Sequence, residues 1–282
     1  MIKDIISIRS GEWQANICPR LGGNVIKLTW GGKDVLRPLD DEEQLKINPY
    51  LQGSPVLMPA NRTYRGRFVF EGKEYFLPIN EPQNDCNLHG SVLSQPFETV
   101  KVTDDRAILR FVDREGKIYP FPFALTITYS LTNKGFSASY EVENIGSGNM
   151  PLTFSLHTTF VEPNRFSVPI DACQEKDSHH IPTGKYIALD PQESGYARSS
   201  HSEGLVISGY YRAYDTVARV GDYTYTVSEN FDHWILFNGR GESGLLCVEP
   251  QSGRVNGLNM NDGHTVMSPC EKIKFTTEIS RN

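Results

Sequence analysis

Two histidines and one carboxylate interrupt strand-like sequence: His89 in Leu88-His89-Gly90, His157 in Ser155-Leu156-His157, and Glu249 in Val248-Glu249-Pro250. Positioned imidazole and carboxyl groups perform general acid/base chemistry without a cofactor, each proton transfer being worth ~10²–10⁴-fold in rate. Glu249 ends the apolar run Leu245-Leu246-Cys247-Val248 just before a proline. A carboxyl at such a strand end is partly buried, and burial raises its pKa unless a cation compensates. That suits a base working near neutral pH. His157 replaces an apolar residue in the stretch from Leu152 to Phe160. A buried imidazole needs partners for both ring nitrogens, so it is either networked or part of a site. Gly90 after His89 lets a backbone or a ligand approach closely. Taken singly, each residue also has a plain structural reading, a satisfied core histidine or an ordinary salt bridge.

Around these stand residues suited to holding a ligand. Asn61-Arg62-Thr63-Tyr64-Arg65-Gly66-Arg67 puts three arginines at period-2 spacing. An extended segment would point all three to one side, a guanidinium face fit for hydroxyls or an anionic group. Gly66 offers a bend that would send Arg65 and Arg67 to solvent. Asp232 and Trp234, in Phe231-Asp232-His233-Trp234, offer a carboxylate for hydroxyls and a stacking face. A resident metal fails on pattern, since no His-x-His, His-x-x-x-His or calcium loop occurs and His179-His180 is a weak signal. Phosphate-binding glycine loops and a serine nucleophile elbow are also absent. No cofactor is expected. The five cysteines, Cys18, Cys86, Cys173, Cys247 and Cys270, include no close pair and read as reduced, mostly buried thiols. Cys86 and His89 lie at odd spacing on strand-like sequence and therefore on opposite faces.

The elements that must position these residues are strands. Phe123–Leu131 and Phe136–Val142 alternate around Thr132-Asn133-Lys134-Gly135, a hairpin. Phe68–Leu77 is a second hairpin around Glu71-Gly72. Ala107–Val112 and Ile273–Ile279 alternate too, and no segment holds a helical period over three turns. Many short strands punctuated by 24 glycines and 17 prolines predict an all-β sandwich or barrel. The stretch from Ser178 to Ser202 reads as a long irregular loop. With no linker or repeat in view, residues 1–282 are expected to form one domain.

Bulk numbers exclude other classes. A net charge of −6 argues against a nucleic-acid or anionic-membrane surface. The N-terminus lacks a signal-peptide pattern, and no apolar run approaches the roughly 18 residues of a membrane span. The expectation is a soluble cytoplasmic protein, monomer or homodimer, acting on a small molecule.

The order of motifs resembles the aldose 1-epimerases, or galactose mutarotases. The matching pieces are Arg20-Leu21-Gly22-Gly23-Asn24-Val25; Gly32-Lys33-Asp34-Val35-Leu36-Arg37-Pro38; Asn61-Arg62; Leu88-His89-Gly90; Tyr119-Pro120-Phe121; Leu156-His157; Phe231-Asp232-His233; Val248-Glu249-Pro250; and Met267-Ser268-Pro269. The resemblance implies a large antiparallel β-sandwich of the galactose mutarotase-like supersandwich type. It implies an isomerase that interconverts the α and β anomers of a free sugar. Glu249 would be the general base at the anomeric hydroxyl and His157 the general acid at the ring oxygen, a sugar ring apart in one cleft. His89, Arg62, Asp232 and Asn61 would hold the sugar. Ser91, Thr158-Thr159, Thr63-Tyr64-Arg65 and Cys270 depart from the family's usual residues at neighbouring positions. Two other readings fit the same residues: an anomerase for an anionic or modified sugar, motivated by the arginines, and a non-catalytic carbohydrate-binding protein. Retention of a matched acid and base favours an enzyme.

Overall fold

Alternating apolar and polar residues force a strand to bury one face, and two such sheets bury theirs against each other. A computed structural model of the chain, describing residues 2–241 and 244–282, shows this arrangement. One eight-stranded antiparallel sheet runs Glu98–Val102, Arg106–Asp113, Phe123–Leu131, Gly135–Asn144, Lys272–Arg281, Tyr223–Val227, Val217–Val220 and Phe166–Ser167 in spatial order. In its central strand Gly135–Asn144, Phe136, Ala138, Tyr140 and Val142 face the core, and Ser137, Ser139, Glu141 and Glu143 lie on the other face. This is the back sheet.

The second large sheet carries the site. Its order is Pro182–Ile187, Ile170–Lys176, Ser208–Ala213, His233–Phe237, Leu245–Ser252, Phe154–Leu156 and Val56–Leu57, with Thr159–Val161 also paired to Leu245–Ser252. Aromatic rings bridge the two sheets. Phe154 stacks on Phe275 at 4.5 Å between centroids, and Tyr225 meets Phe160 at 5.5 Å and Trp234 at 5.9 Å. Trp234, expected as a ligand-stacking face, is therefore core, 1% exposed. A separate four-stranded antiparallel sheet, Ile6–Ser10, Trp13–Cys18, Asn24–Trp30 and Lys33–Asp34, comes from the N-terminal residues.

Both expected hairpins form. Phe123–Leu131 pairs with Gly135–Asn144, and Arg67–Phe70 pairs with Lys73–Phe76. At the second turn Glu71 and Gly72 both have positive φ, 49° and 76°, the backbone that two-residue hairpin turns demand. The irregular loop expected over 178–202 is corrected. It contains the edge strand Pro182–Ile187 and the helix Pro191–Tyr196. The strand escapes pattern reading because Thr183, Gly184 and Lys185 are all exposed. The helix has a capping box in which Asp190 accepts from the Glu193 amide and Glu193 accepts from the Asp190 amide, a signal present in the sequence Asp-Pro-Gln-Glu. No helix among the described residues is long and apolar enough to cross a membrane.

Candidate active site

The strand Leu245–Ser252 is buried on both faces over its whole length. Leu246 and Val248 point into the core between the sheets. Cys247, Glu249 and Gln251 take the other face by the two-residue alternation of a strand. Loops cover that face, which explains how an apolar-looking run can end in a buried carboxylate. Across the sheet, Ser155 pairs with Gln251 and Thr159 pairs with Cys247. The same register sets His157 opposite Glu249. Between the two paired segments the ladder opens: the His157 amide donates to the Pro55 carbonyl, and the Val248 amide donates to the Thr158 carbonyl. His157 and Glu249 thus share one face, with Nε2 of His157 3.4 Å from Oε1 of Glu249.

They form part of the wall of a cavity of about 550 Å³, within the range of about 300–1,000 Å³ usual for small-ligand sites. His89 reaches it from the turn after Cys86–Leu88, with φ of +65° and its amide donating to the Asn61 carbonyl. Gly90 follows because a Cβ there would lie 2.1 Å from the Met58 carbonyl oxygen. The close approach is therefore to backbone. The His89 and His157 rings meet edge to face at 5.4 Å, and Tyr50 packs on both, at 4.6 Å and 5.9 Å.

Arg62 lies in the strand Arg62–Tyr64, paired with Cys86–Leu88. Its Nε and Nη2 donate to the two oxygens of Glu81 at 2.7 Å each, and its Nη1 donates to the Tyr210 hydroxyl at 2.6 Å. A guanidinium has five donors, so two N–H groups remain for other partners. Asn61 lines the same cavity and accepts the Arg62 amide through Oδ1.

The electrostatics follow from burial. Burial pushes the Glu249 carboxyl well above its usual range, and the Arg62 guanidinium pulls the other way. Burial pushes the His157 imidazole down to about 3. His89 is held well below its ordinary value by burial, then by His157 and Arg62. Tyr210 is pushed up to about 12, chiefly by burial, so it keeps its proton. It accepts from Arg62 and still has a hydrogen to donate. The buried Nδ1 atoms of His89 and His157 have no hydrogen-bond partner, and unpaired buried polar atoms cluster where a ligand completes the network.

Five of the six residues singled out by sequence therefore meet at one cavity: Glu249, His157, His89, Arg62 and Asn61. Asp232 does not. It is exposed, accepts from the Gly253 amide at 2.7 Å, and pairs with Nδ1 of His233 at 2.8 Å, whose Nε2 contacts the Tyr186 hydroxyl. The reason is register: Ile235 is the residue opposite Glu249, and Asp232 lies three residues back, of opposite parity. A sugar ring's width between Glu249 and His157 is also not observed. Arg65 and Arg67 leave the site as well, because the chain turns at Arg65 and Gly66, with φ of +54° and +55°. They pair with Asp85 and Glu74 at the surface. Cys86 is buried, and burial with the nearby Glu81 charge pushes its thiol up to about 11, which makes it inert.

Tyr50, Glu81 and Tyr210 also line the cavity without having been singled out in the sequence, and so does His180, which had offered only a weak metal signal. Tyr210 carried a trace of signal, standing in the β-forming Tyr210-Tyr211 pair. The others sit in loops with no periodicity to mark them.

Comparison with known proteins gives the family and the fold. The aldose 1-epimerase family model matches residues 4–268. Over 186 residues the chain is 28% identical to the uncharacterized protein YihR of Escherichia coli K12, covering 63% of this chain and 59% of that protein. Over 155 residues it is 29% identical to the galactose mutarotase of Rattus norvegicus, covering 51% of this chain and 44% of the relative. The matched stretches thus span about half the length of these relatives. A solved galactose mutarotase-like protein from Clostridium acetobutylicum superposes with a TM-score of 0.90 at 24% identity, covering 99% of this chain and 95% of that one. Galactose 1-epimerase from Lactobacillus acidophilus superposes at 0.80 and 16% identity, covering 99% and 95%. The fold is that of these proteins, and the chain belongs to the aldose 1-epimerase family.

Proposed function

We propose that this protein is an isomerase that interconverts the α and β anomers of a free aldose by opening and reclosing its ring. The observation that carries the reading is the buried His157–Glu249 pair at a cavity also lined by Arg62 and His89. Ring opening of a hemiacetal removes the proton from the anomeric hydroxyl O1, forms the C1=O1 double bond, breaks C1–O5 and adds a proton to O5. Both oxygens are bonded to the same carbon, so donor and acceptor need to stand side by side. The 3.4 Å spacing fits that requirement better than a ring's width would.

Burial pushes the carboxyl up and the imidazole down, which reverses their ordinary order of proton affinity and places the pair's resting proton on Glu249. Whichever group holds it, the pair has one proton to give and one site to receive. We assign acceptance from O1 to Glu249, whose ionised form Arg62 favours, and delivery to O5 to His157, which requires the pair's proton to pass from Glu249 to Nε2 of His157 across their 3.4 Å contact before the ring opens. Closure on the other face after rotation about C1–C2 reverses both transfers. Arg62, Tyr210, His89 and Asn61 hold the sugar oxygens. No step calls for a metal or a cofactor, and residues 1–282 are read as a single domain.

The experiment is polarimetry on freshly dissolved single-anomer glucose and galactose, with the spontaneous rate subtracted. Acceleration proportional to enzyme concentration supports the reading, and a rate equal to the buffer's overturns it.

A further inference from the structure

Cys247 stands two residues before Glu249 on the same face of its strand, with Sγ 3.4 Å from the Thr159 hydroxyl. The side-chain donors of His157, Cys247 and Glu249 all lie within 4.8 Å of one another, and all three residues are buried. One nitrogen, one sulfur and one oxygen converge from two neighbouring chain segments. This is the donor set of a zinc site with three protein ligands and one open position. A tetrahedral ion with arms of about 2.0–2.3 Å sets its ligands about 3.3–3.8 Å apart. The His157–Glu249 separation of 3.4 Å already has that edge length. Closing the remaining edges takes about an ångström of side-chain movement.

The geometry points to a binding site for a thiophilic divalent cation, Zn²⁺ above the harder ions, seated behind the proton-transfer pair. Two of its three ligands line the cavity, so the ion enters by the sugar's path. Softer donors favour zinc over magnesium or calcium, which take oxygen cages. An ion held there occupies Nε2 of His157 and the carboxylate of Glu249 together, and neither can then move a proton. The consequence is reversible zinc inhibition, a regulation of the reaction proposed above and resting on that reading. Pattern reading had no way to see the site, because His157 lies 90 positions before Cys247.

The test uses the full chain carrying Cys270→Ser, which removes the exposed thiol. Zinc chloride is titrated against a chromophoric zinc indicator, and cobalt chloride is titrated alone. The expected result is one Zn²⁺ per chain and a thiolate-to-cobalt charge-transfer band in the near ultraviolet. Cys247→Ser should weaken zinc binding by more than about tenfold, since loss of even an outer-shell partner costs about 10–100-fold. Anomer exchange should be inhibited by zinc, restored by a chelator, and insensitive to zinc in Cys247→Ser. Absence of the cobalt–thiolate band, or equal zinc affinity in Cys247→Ser, overturns the site. The binding arms need no turnover, so zinc bound as described in a protein without anomerase activity would support the site and contradict the proposed function instead.

Discussion

His157 and Glu249 face each other across a gap in a β-ladder, with Nε2 3.4 Å from Oε1. Ser155↔Gln251 and Thr159↔Cys247 fix that opposition from both sides. A slip of one residue in either strand would send one of the two side chains into the core. The His157–Glu249 pair is thus set by the sheet's register, and loops only complete its surroundings.

Glu249→Gln keeps the shape and removes the base. Turnover should fall by about 10²–10⁴-fold, the worth of one proton transfer, with sugar affinity nearly unchanged. The same substitution should stabilise the fold. A carboxyl whose pKa is raised on folding contributes full stability only below its unfolded value of 4.5, and that contribution is lost as pH rises. At pH 8 the glutamine variant should gain about 0.5–2 kcal/mol, in the range of relieved active-site strain, and less at pH 5. Chemical denaturation at both pH values checks this; a variant destabilised more at pH 8 than at pH 5 contradicts it.

With chelator present, the pH profile of kcat/KM should lack an imidazole limb. The pair works with one proton. A second proton would enter at His157, whose value is pushed down to about 3, so activity should stay level from about pH 7 to 4.5. Its alkaline limb marks loss of the single shared proton, well above the ordinary carboxylate value of 4.5. An acid-side fall centred near 6.5 would show that His157 titrates as an ordinary histidine.

The Arg62–Glu81 pair is 15% and 8% exposed in its side chains and bidentate. Removing one member of such a pair strands the other, at a cost of about 3–5 kcal/mol. Glu81→Ala should therefore lower the urea midpoint and raise KM, because Arg62 loses its anchor. Arg62→Ala should raise KM more than it lowers kcat. A Glu81→Ala protein as stable as the parent would mean that the fork carries no load.

Tyr210→Phe removes the hydroxyl that accepts from Nη1 of Arg62 and whose own proton remains available. KM should rise several-fold, and Arg62→Ala should add little in that background, because residues sharing one network are not additive. Full additivity of the two losses would separate Tyr210 from Arg62.

The sheets were legible because alternation is a local pattern: the two hairpins and the central strands stand where period-2 reading places them. Glu249 was legible for a similar reason, as a polar residue closing the apolar run Leu245-Leu246-Cys247-Val248, although the strand itself continues to Ser252. Asp232 illustrates the limit. Its motif looked right, but which face a strand-end residue takes depends on register with a partner strand, and pairing of Ile235 with Glu249 is a tertiary fact. The arginines illustrate another limit, since a positive φ at Arg65 undid the extended spacing that would have aligned them. Arg62 alone stays, and Glu81 neutralises it. An anionic aldose should accordingly show no marked preference over a neutral one, and Arg65→Ala with Arg67→Ala should leave both rates unchanged.

The most direct measurement is anomer exchange by NMR at equilibrium, where magnetisation passes between the α and β forms of a free aldose. Exchange should rise with the wild-type protein and fall by about 10²–10⁴-fold in both Glu249→Gln and His157→Asn, each still folded. Exchange no faster than in buffer, or undiminished in either variant, would contradict the assignment of ring opening to this pair.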